Sequence, residues 1–443
     1  MRLLVIGAGE VGSSIAASLA DSHEVVVIDR DSERVEALTY AEDVLAITGD
    51  GTDLDVLMEA EVDAADLVIA STDDDETNLV ICGTAETASD AFTIARVRST
   101  ALLDTWERAP GAFGVDFMVC TDLMAAEAIV RLTGLPAARD VDPFADGRVQ
   151  MAEFEVPDDS PIAGRTVQEA DRYEDLTFAA LIEDDDVTIP RGDATIRAGS
   201  RIVVIGTPSS VRAFAGALVP EQDGADDVVV IGGGPIGGET ARILEERGRS
   251  PRLIEADPER ARALAEARPG TVVMEHDPTD AEFLAREHVD AADLVVVALD
   301  SDERSLMVAL LAKQLGAART VAVVENGDYV DLFETVGVDV ALNPRGIVAE
   351  EITRFTRERR TENVALIESD RAEVVEIEVD DASVLAGRPI ADAVADLPEG
   401  LVVGAIVRDG GFIAPRGATV IEPGDRVVVL LEADCLEDTL PRL

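Results

Sequence analysis

A ten-residue pattern that occurs twice constrains this chain more than anything else in it. Leu3-Leu4-Val5-Ile6 runs into Gly7-Ala8-Gly9-Glu10-Val11-Gly12, and Val228-Val229-Val230-Ile231 runs into Gly232-Gly233-Gly234-Pro235-Ile236-Gly237. An apolar run that opens into G-x-G-x-x-G and then into Ile15, Ala16 and Leu19 at helical spacing predicts a strand, a phosphate-binding turn and a helix. Gly7 makes the tight turn, Gly9 lets backbone approach a pyrophosphate, and Gly12 lets the helix pack closely on the strand. The phosphates belong on the N–H groups of the helix N-terminus, where the macrodipole favours negative charge. Such a site also needs an acidic residue at the end of the second strand to hold the ribose hydroxyls. Val25-Val26-Val27-Ile28-Asp29 supplies it 20 residues after Gly9, and Ile254-Glu255 supplies its counterpart.

The rest of the chain repeats with the turn. Asp63-Ala64-Ala65-Asp66-Leu67-Val68 returns as Asp290-Ala291-Ala292-Asp293-Leu294-Val295, 227 residues later. Ala163-Gly164-Arg165 returns as Ala386-Gly387-Arg388, and Pro190-Arg191-Gly192 returns as Pro415-Arg416-Gly417. Apolar runs at 3–6, 24–28, 44–47, 66–71 and 92–97 are spaced for alternating strands and helices, which predicts an α/β class with a doubly wound parallel sheet. A further strand and helix span Val115 to about Thr133, and the Pro-, Asp- and Gly-containing stretch to Gln150 reads as a linker into a small strand-rich domain. The expected organisation is a large domain over 1–136, a small α+β domain over 137–222, a second large domain over 223–358 and a second small one over 359–443.

Ligand contacts in doubly wound sheets come from the carboxyl ends of the strands. Asp50 and Gly51 after the third strand, Thr72 and Asp73 after the fourth, and Arg96 and Arg98 at the fifth are therefore candidates. Each has an ordinary alternative: Asp50, Thr72 and Asp73 as helix caps, Arg96 and Arg98 as surface charges.

Composition narrows the partners. Ninety acidic against 37 basic residues give a formal charge of −53, with Lys313 the one lysine, which argues against a nucleic-acid partner. Self-repulsion of that size is screened once the Debye length falls to about 3 Å near 1 M salt, so the composition points to a halophile's cytosol. Asp73-Asp74-Asp75-Glu76 and Glu183-Asp184-Asp185-Asp186 then read as solvated surface. The chain has no membrane-length apolar run, and Met1 leads directly into a strand, so the expected location is cytoplasmic, with no membrane insertion. Cys82, Cys120 and Cys435 are scattered and read as buried apolar side chains, with no metal site.

Hydride transfer would need a proton donor or acceptor beside the nicotinamide, usually His, Lys or Tyr. Three histidines, one lysine and three tyrosines without a Tyr-x-x-x-Lys pair offer little for it, so a soluble NAD-dependent oxidoreductase stands as the alternative to a non-catalytic binding module. Gly7-Ala8-Gly9-Glu10-Val11-Gly12, Asp29, Thr72-Asp73, Asp75-Glu76-Thr77-Asn78 and Ile94-Ala95-Arg96-Val97-Arg98, set in the tandem double unit, resemble the TrkA family of Trk potassium-uptake proteins, built from regulator-of-potassium-conductance units. The resemblance implies NAD(H), or ATP and ADP, as ligands. It also implies assembly into a homo-oligomeric ring, dimer or tetramer, and a membrane potassium transporter subunit of Trk type as partner at the inner face of the membrane.

By the same resemblance Gly7 to Val11 bind the pyrophosphate, Asp29 the adenosine ribose, Asp50 and Gly51 lie near the adenine, and Thr72 with Arg96 or Arg98 completes the site. The second half keeps Gly232 to Gly237, Glu255 and Asp277. It places Leu299, Val323 and Glu325 where the first half has Thr72, Arg96 and Arg98, so it is expected to lose its polar and basic partners. Leu123, Met124, Ala126, Ile129, Val130 and Leu132 make a helix apolar over much of its circumference, an expected assembly surface.

Overall fold

The computed structural model describes residues 1–20, 23–41, 44–109, 111–135, 137–183, 186–219, 227–358, 363–367, 371–398, 400–432, 435 and 439–443. Asp184 and Asp185 of the second acidic run, and the expected boundary at 222–223, lie outside the described residues.

The first 132 residues alternate as β1 (Arg2–Ile6), α1 (Glu10–Ala20), β2 (Glu24–Asp29), α2 (Ser32–Ala41), β3 (Leu45–Thr48), α3 (Leu54–Glu59), β4 (Leu67–Ala70), α4 (Asp75–Ala88), β5 (Phe92–Val97), α5 (Thr100–Arg108), β6 (Phe117–Cys120) and α6 (Thr121–Leu132). The strands form one parallel sheet in the order β3-β2-β1-β4-β5-β6. Strand order reverses between β1 and β4, and the crevice beyond the carboxyl ends of such neighbours is where open α/β sheets take ligands. Leu3, Leu4, Val5, Val26, Val68 and Ile94 are fully buried because helices cover both faces of the sheet, which is why these strands read as continuous apolar runs.

A five-stranded antiparallel sheet follows, in the order β10-β9-β11-β8-β7, from β7 (Ala138–Phe144), β8 (Val149–Glu155), β9 (Leu176–Glu183), β10 (Asp186–Thr188) and β11 (Arg201–Gly206), with α7 (Val167–Ala170) and α8 (Pro208–Leu218). β7 corrects the expectation of a linker before Gln150. Ala138, Val141 and Phe144 are buried, and the edge position tolerates Pro143, which has no N–H to donate.

The second half repeats both layers. β12 (Val228–Ile231), α9 (Pro235–Glu246), β13 (Arg252–Glu255), α10 (Pro258–Ala267), β14 (Val272–Glu275), α11 (Ala281–Arg286), β15 (Leu294–Val297), α12 (Asp302–Leu315), β16 (Thr320–Val323), α13 (Val330–Thr335), β17 (Val340–Leu342) and α14 (Pro344–Glu358) build a sheet ordered β14-β13-β12-β15-β16-β17. β18 (Asn363–Ile367), β19 (Ala372–Glu378), α15 (Ile390–Val394), β20 (Leu401–Arg408), β21 (Gly411–Ile413) and β22 (Arg426–Glu432) complete an antiparallel sheet ordered β18-β19-β22-β20-β21.

Compact units pair like with like. One holds both parallel-sheet domains, Met1–Val130 and Asp227–Thr353, and the other holds both antiparallel sheets, Arg131–Asp226 and Arg354–Leu443. Within the second unit, Phe144, Met151, Val203 and Ile205 share one core with Val374, Ala405, Val428 and Leu430. The three cysteines are buried and unpaired, and burial pushes the Cys82 thiol up to about 12 and Cys120 up to about 11. Among the described residues no helix is long and apolar enough to cross a membrane. In α6, Ala125, Ala126, Ile129, Val130 and Leu132 are already buried within this chain. Leu123 and Met124 of the same helix are only half-buried.

Candidate functional site

A cleft of about 300 Å³ opens at the carboxyl ends of β1, β2, β3 and β4. Of the sequence candidates, Gly7, Gly9, Asp29, Asp50, Gly51, Thr72 and Asp73 line it, together with Ile6, Ile28 and Ile81 on its apolar side. Gly7 has φ +106°, and a side chain there would press on the backbone of Ser71 and Thr72, 3.0 Å away. A Cβ on Gly12 would overlap the Gly7 carbonyl oxygen, so α1 reaches β1 only through this glycine. Gly9 differs: a Cβ there has ordinary clearance, its nearest neighbour being Arg34 Nη1 at 3.7 Å. The space over Gly9 is the cleft itself. The first-turn N–H groups of α1 lack intrahelical partners and face a ligand with partial positive charge.

Asp29 is fixed at the end of β2. Its Oδ2 accepts from Ala8 N at 2.5 Å and its Oδ1 from Asp31 N at 2.8 Å. Each carboxylate oxygen accepts more than one hydrogen bond, so the group braces the glycine turn and still has capacity for ribose hydroxyls. Asp50 accepts from Arg30 Nη2 at 2.8 Å and from Thr52 N and Oγ1 at 3.0 and 2.7 Å, and the Arg30 bond first, then Thr52, holds its carboxyl at about 2. Asp50 caps no helix: Asp53 caps α3.

Thr72 is tied into the sheet ends by Asn78. Thr72 N and Oγ1 donate to Asn78 Oδ1 at 2.9 and 2.7 Å, while Asn78 Nδ2 donates to the carbonyls of Thr72 and Arg96 at 2.9 and 2.8 Å. Arg96 is buried. It donates to Thr121 Oγ1 at 3.2 Å and Ser71 O at 3.4 Å, and pairs with Asp73 at 3.4 Å; burial lowers its pKa and Asp73 works against that.

The remaining first-half candidates stand outside the cleft lining. Arg98 lies 3.7 Å from Asp122. Ala8, Val11 and Gly12 are buried, and Glu10 is engaged by the second parallel-sheet domain. Sequence reasoning missed Arg30, Arg34, Ser71, Asp74 and Thr77, all of which line the cleft. Arg30 directly follows the ribose-type acid and Arg34 lies in the first turn of α2, so strand-end position was the available signal. Asp74 caps α4 by accepting from Thr77 N.

The second turn has the same skeleton. Gly232 has φ +100°, a Cβ on Gly237 would overlap the Gly232 carbonyl oxygen, Gly233 N donates to Glu255 Oε2 at 2.8 Å, and Asp257 N donates to Glu255 Oε1 at 2.7 Å. Asp277 accepts from Thr279 N and Oγ1 at 3.0 and 2.9 Å, and these bonds hold its pKa down. The expectation of lost basic partners is corrected in part: Arg260 stands 3.5 Å from Glu255 and Arg304 stands 3.8 Å from Asp277. The turn is nonetheless less welcoming to an anion. Gly234 is the N-cap of α9, Pro235 removes a donor at N1, Ile236 is buried, and Asp300 Oδ1 lies 3.8 Å from the place of a Gly234 Cβ.

The chain matches the TrkA-N domain over residues 3–120 and 228–344, and the TrkA-C domain over 151–218 and 374–442. It is 37% identical over 437 residues to a Trk system potassium uptake protein TrkA homolog of Archaeoglobus fulgidus, covering 99% of this chain and 98% of that relative. Among solved structures it is similar to the GsuK RCK domain, with a TM-score of 0.63 at 20% identity over 99% of this chain and 95% of that one. It is likewise similar to the GsuK channel bound to NAD, with a TM-score of 0.62 at 20% identity over 100% and 78%. At that identity the likeness to the channel structures is one of fold.

Proposed function

We propose a function from the premise that the chain belongs to the TrkA family of Trk system potassium uptake proteins. It is the nucleotide-binding regulatory subunit of a Trk-type potassium transporter, held at the inner face of the membrane through that partner, with NAD(H) in the first cleft and ATP or ADP as further occupants. The observation that carries this reading is the first cleft: an open space above Gly9, a carboxylate fixed at the ribose position, and Arg30 and Arg34 at the mouth. The pyrophosphate sits against the start of α1, Asp29 takes the ribose hydroxyls, and Ile6, Ile28 and Ile81 supply the apolar contact for an adenine. A 2′-phosphate would meet the Asp29 carboxylate, and Arg30 is already paired with Asp50, so NADP is disfavoured. That the same fold holds NAD in the GsuK channel supports the choice of ligand.

Regulation then follows from differential affinity: a ligand shifts the arrangement of the two parallel-sheet domains only as far as it binds one arrangement better. The test is calorimetric titration of NAD, NADH, ATP and ADP in high potassium chloride, with oligomer size recorded alongside and co-purification with a Trk-type membrane subunit as the second arm. The expected result is binding of at least NADH and capture of the transporter. Failure of all four ligands to bind, or turnover of bound NADH by small metabolites, overturns it.

A further inference from the structure

Glu10 is the first residue of α1, immediately after the turn on which a pyrophosphate would rest, and its carboxylate is held by the other parallel-sheet domain. Gly327 N and Asn343 Nδ2 donate to Oε1 at 2.8 and 3.0 Å, and Arg345 Nη1 donates to Oε2 at 3.0 Å. All three donors stand at the carboxyl ends of β16 and β17 or in the first turn of α14. The same end of the second sheet therefore faces the phosphate turn of the first.

Arg345 is shared among acids. Its Nη1 also donates to the Glu325 carbonyl at 3.2 Å, and Nη2 lies 3.4 Å from Glu325 Oε2. The field of Asp73, which lines the first cleft, reaches it as well, and its own charge reaches Arg96. Duplication makes the choice of charge legible. Where the second domain has Glu325 and Arg345, the first has Arg98 and Asp122, the same ion pair with its signs exchanged. Only the second domain puts the cation on the helix and turns it toward its neighbour's phosphate turn.

A carboxylate at the start of α1 stabilises the helix when no ligand is present, and opposes a pyrophosphate that seeks the same N–H groups. A guanidinium is matched to two-oxygen anions, and phosphate offers it a better partner than one carboxylate oxygen. We propose that Arg345 is a phosphate-recognising residue of the first cleft, contributed by the second parallel-sheet domain and engaged by Glu10 until a pyrophosphate-bearing nucleotide arrives. Specificity then depends on the ligand's phosphate charge rather than on its base, and binding in the first domain changes the contact that joins it to the second. This rests on the reading of the first cleft as a nucleotide site.

The experiment titrates the full chain with adenosine, ADP and NAD at one fixed, high potassium chloride concentration, with adenosine also read by competition against NAD. Arg345→Gln is expected to weaken ADP and NAD by about tenfold while leaving adenosine unchanged, as the loss of one charge-assisted contact requires. Arg345→Lys, which keeps the charge but not the two-pronged geometry, should recover part of that loss, and Glu10→Gln should tighten ADP and NAD by removing the repulsion and releasing Arg345. Adenosine serves as the internal control for an intact cleft. If Arg345→Gln binds ADP as the unaltered chain does, or loses adenosine and ADP equally, the proposal is overturned. If the unaltered chain binds none of the three, the cleft reading falls and takes the proposal with it.

Discussion

Gly9 and Gly12 sit three residues apart in one turn, and the structure predicts that replacing them gives opposite results. A Cβ on Gly9 meets nothing nearer than Arg34 Nη1 at 3.7 Å, and Gly9 is not in the left-handed region. Gly9→Val should therefore fold normally, within roughly 0.5 kcal/mol of the unaltered chain, as substitutions away from packed contacts do. Its side chain fills the space through which a pyrophosphate reaches the start of α1. Each charge-assisted hydrogen bond forfeited there is worth about 1.5–3 kcal/mol, and losing one lowers affinity roughly tenfold to hundredfold. A Cβ on Gly12 would lie 3.0 Å from the Gly7 carbonyl carbon and 2.9 Å from Ser71 Oγ, and would overlap the Gly7 carbonyl oxygen outright. Gly12→Ala must push α1 off β1, an overpacking cost of about 1–3 kcal/mol or more. At about 2–4 °C per kcal/mol for a domain of this class, that lowers the melting temperature by several degrees. Differential scanning calorimetry and NADH titration on the two variants in molar potassium chloride read both effects. A Gly9→Val chain that melts as early as Gly12→Ala, or that binds NADH undiminished, would refute the reasoning.

Two further outcomes follow from charge. The Asp50 carboxyl titrates at about 2 against an ordinary 3.8 because Arg30 and Thr52 hydrogen-bond its charged form. Its folded-state pKa is depressed, so the stabilisation it provides is complete above its ordinary value and vanishes as pH falls through that window toward 2. Carbon-13 titration of Asp50 should show this midpoint, and Arg30→Ala should return it toward the ordinary value; an unmoved midpoint removes Arg30 as the cause. Thermal stability should climb between dilute and molar potassium chloride, since the −53 charge is screened only at high ionic strength. A melting temperature indifferent to salt would contradict that account.

The parallel sheets were legible because their strands are buried on both faces, so Leu3–Ile6 and Val228–Ile231 stand out as unbroken apolar runs next to glycine turns. Asp29 was legible for the same reason, as the first polar residue to end such a run. β7 was not, since its buried positions Ala138, Val141 and Phe144 are interleaved with Arg139, Asp140, Asp142 and Pro143, the composition of a loop. Arg30 and Arg34 were less legible, because their place just after Asp29 at the end of β2 is their one signal and an arginine there reads equally well as solvated surface charge. The shared core of the two antiparallel sheets joins residues more than 200 positions apart, such as Phe144 and Val374, and no local pattern encodes that pairing. Glu10 looked like a phosphate-turn residue and became a contact between domains for the same reason: its partners Gly327, Asn343 and Arg345 are remote in sequence.

The two turns also show how a duplicated site keeps its fold while its chemistry diverges. Glu255 braces Gly233 as Asp29 braces Ala8, and Gly237 packs α9 on β12 as Gly12 packs α1 on β1, so the skeleton is under the same steric constraint in both. What differs is what looks onto the turn. Over Gly9 stands the cation Arg34, whereas over Gly234 stands the anion Asp300, 3.8 Å from the place of a Cβ. Asp300 is exposed, so solvent and salt weaken its repulsion of a phosphate without changing its sign. Pro235 withdraws an N–H from the helix start, and Leu299 Cδ2 stands 3.1 Å from the place of a Gly232 Cβ, so the anion meets fewer donors as well as a charge of its own sign. Titration of NADH should therefore give a stoichiometry near one per chain. Gly234→Val should leave that binding intact where Gly9→Val weakens it roughly tenfold or more, and Asp300→Asn should strengthen any weak second event. Two equal sites, or loss of NADH through Gly234→Val alone, would show that Asp300 does not decide which turn accepts phosphate.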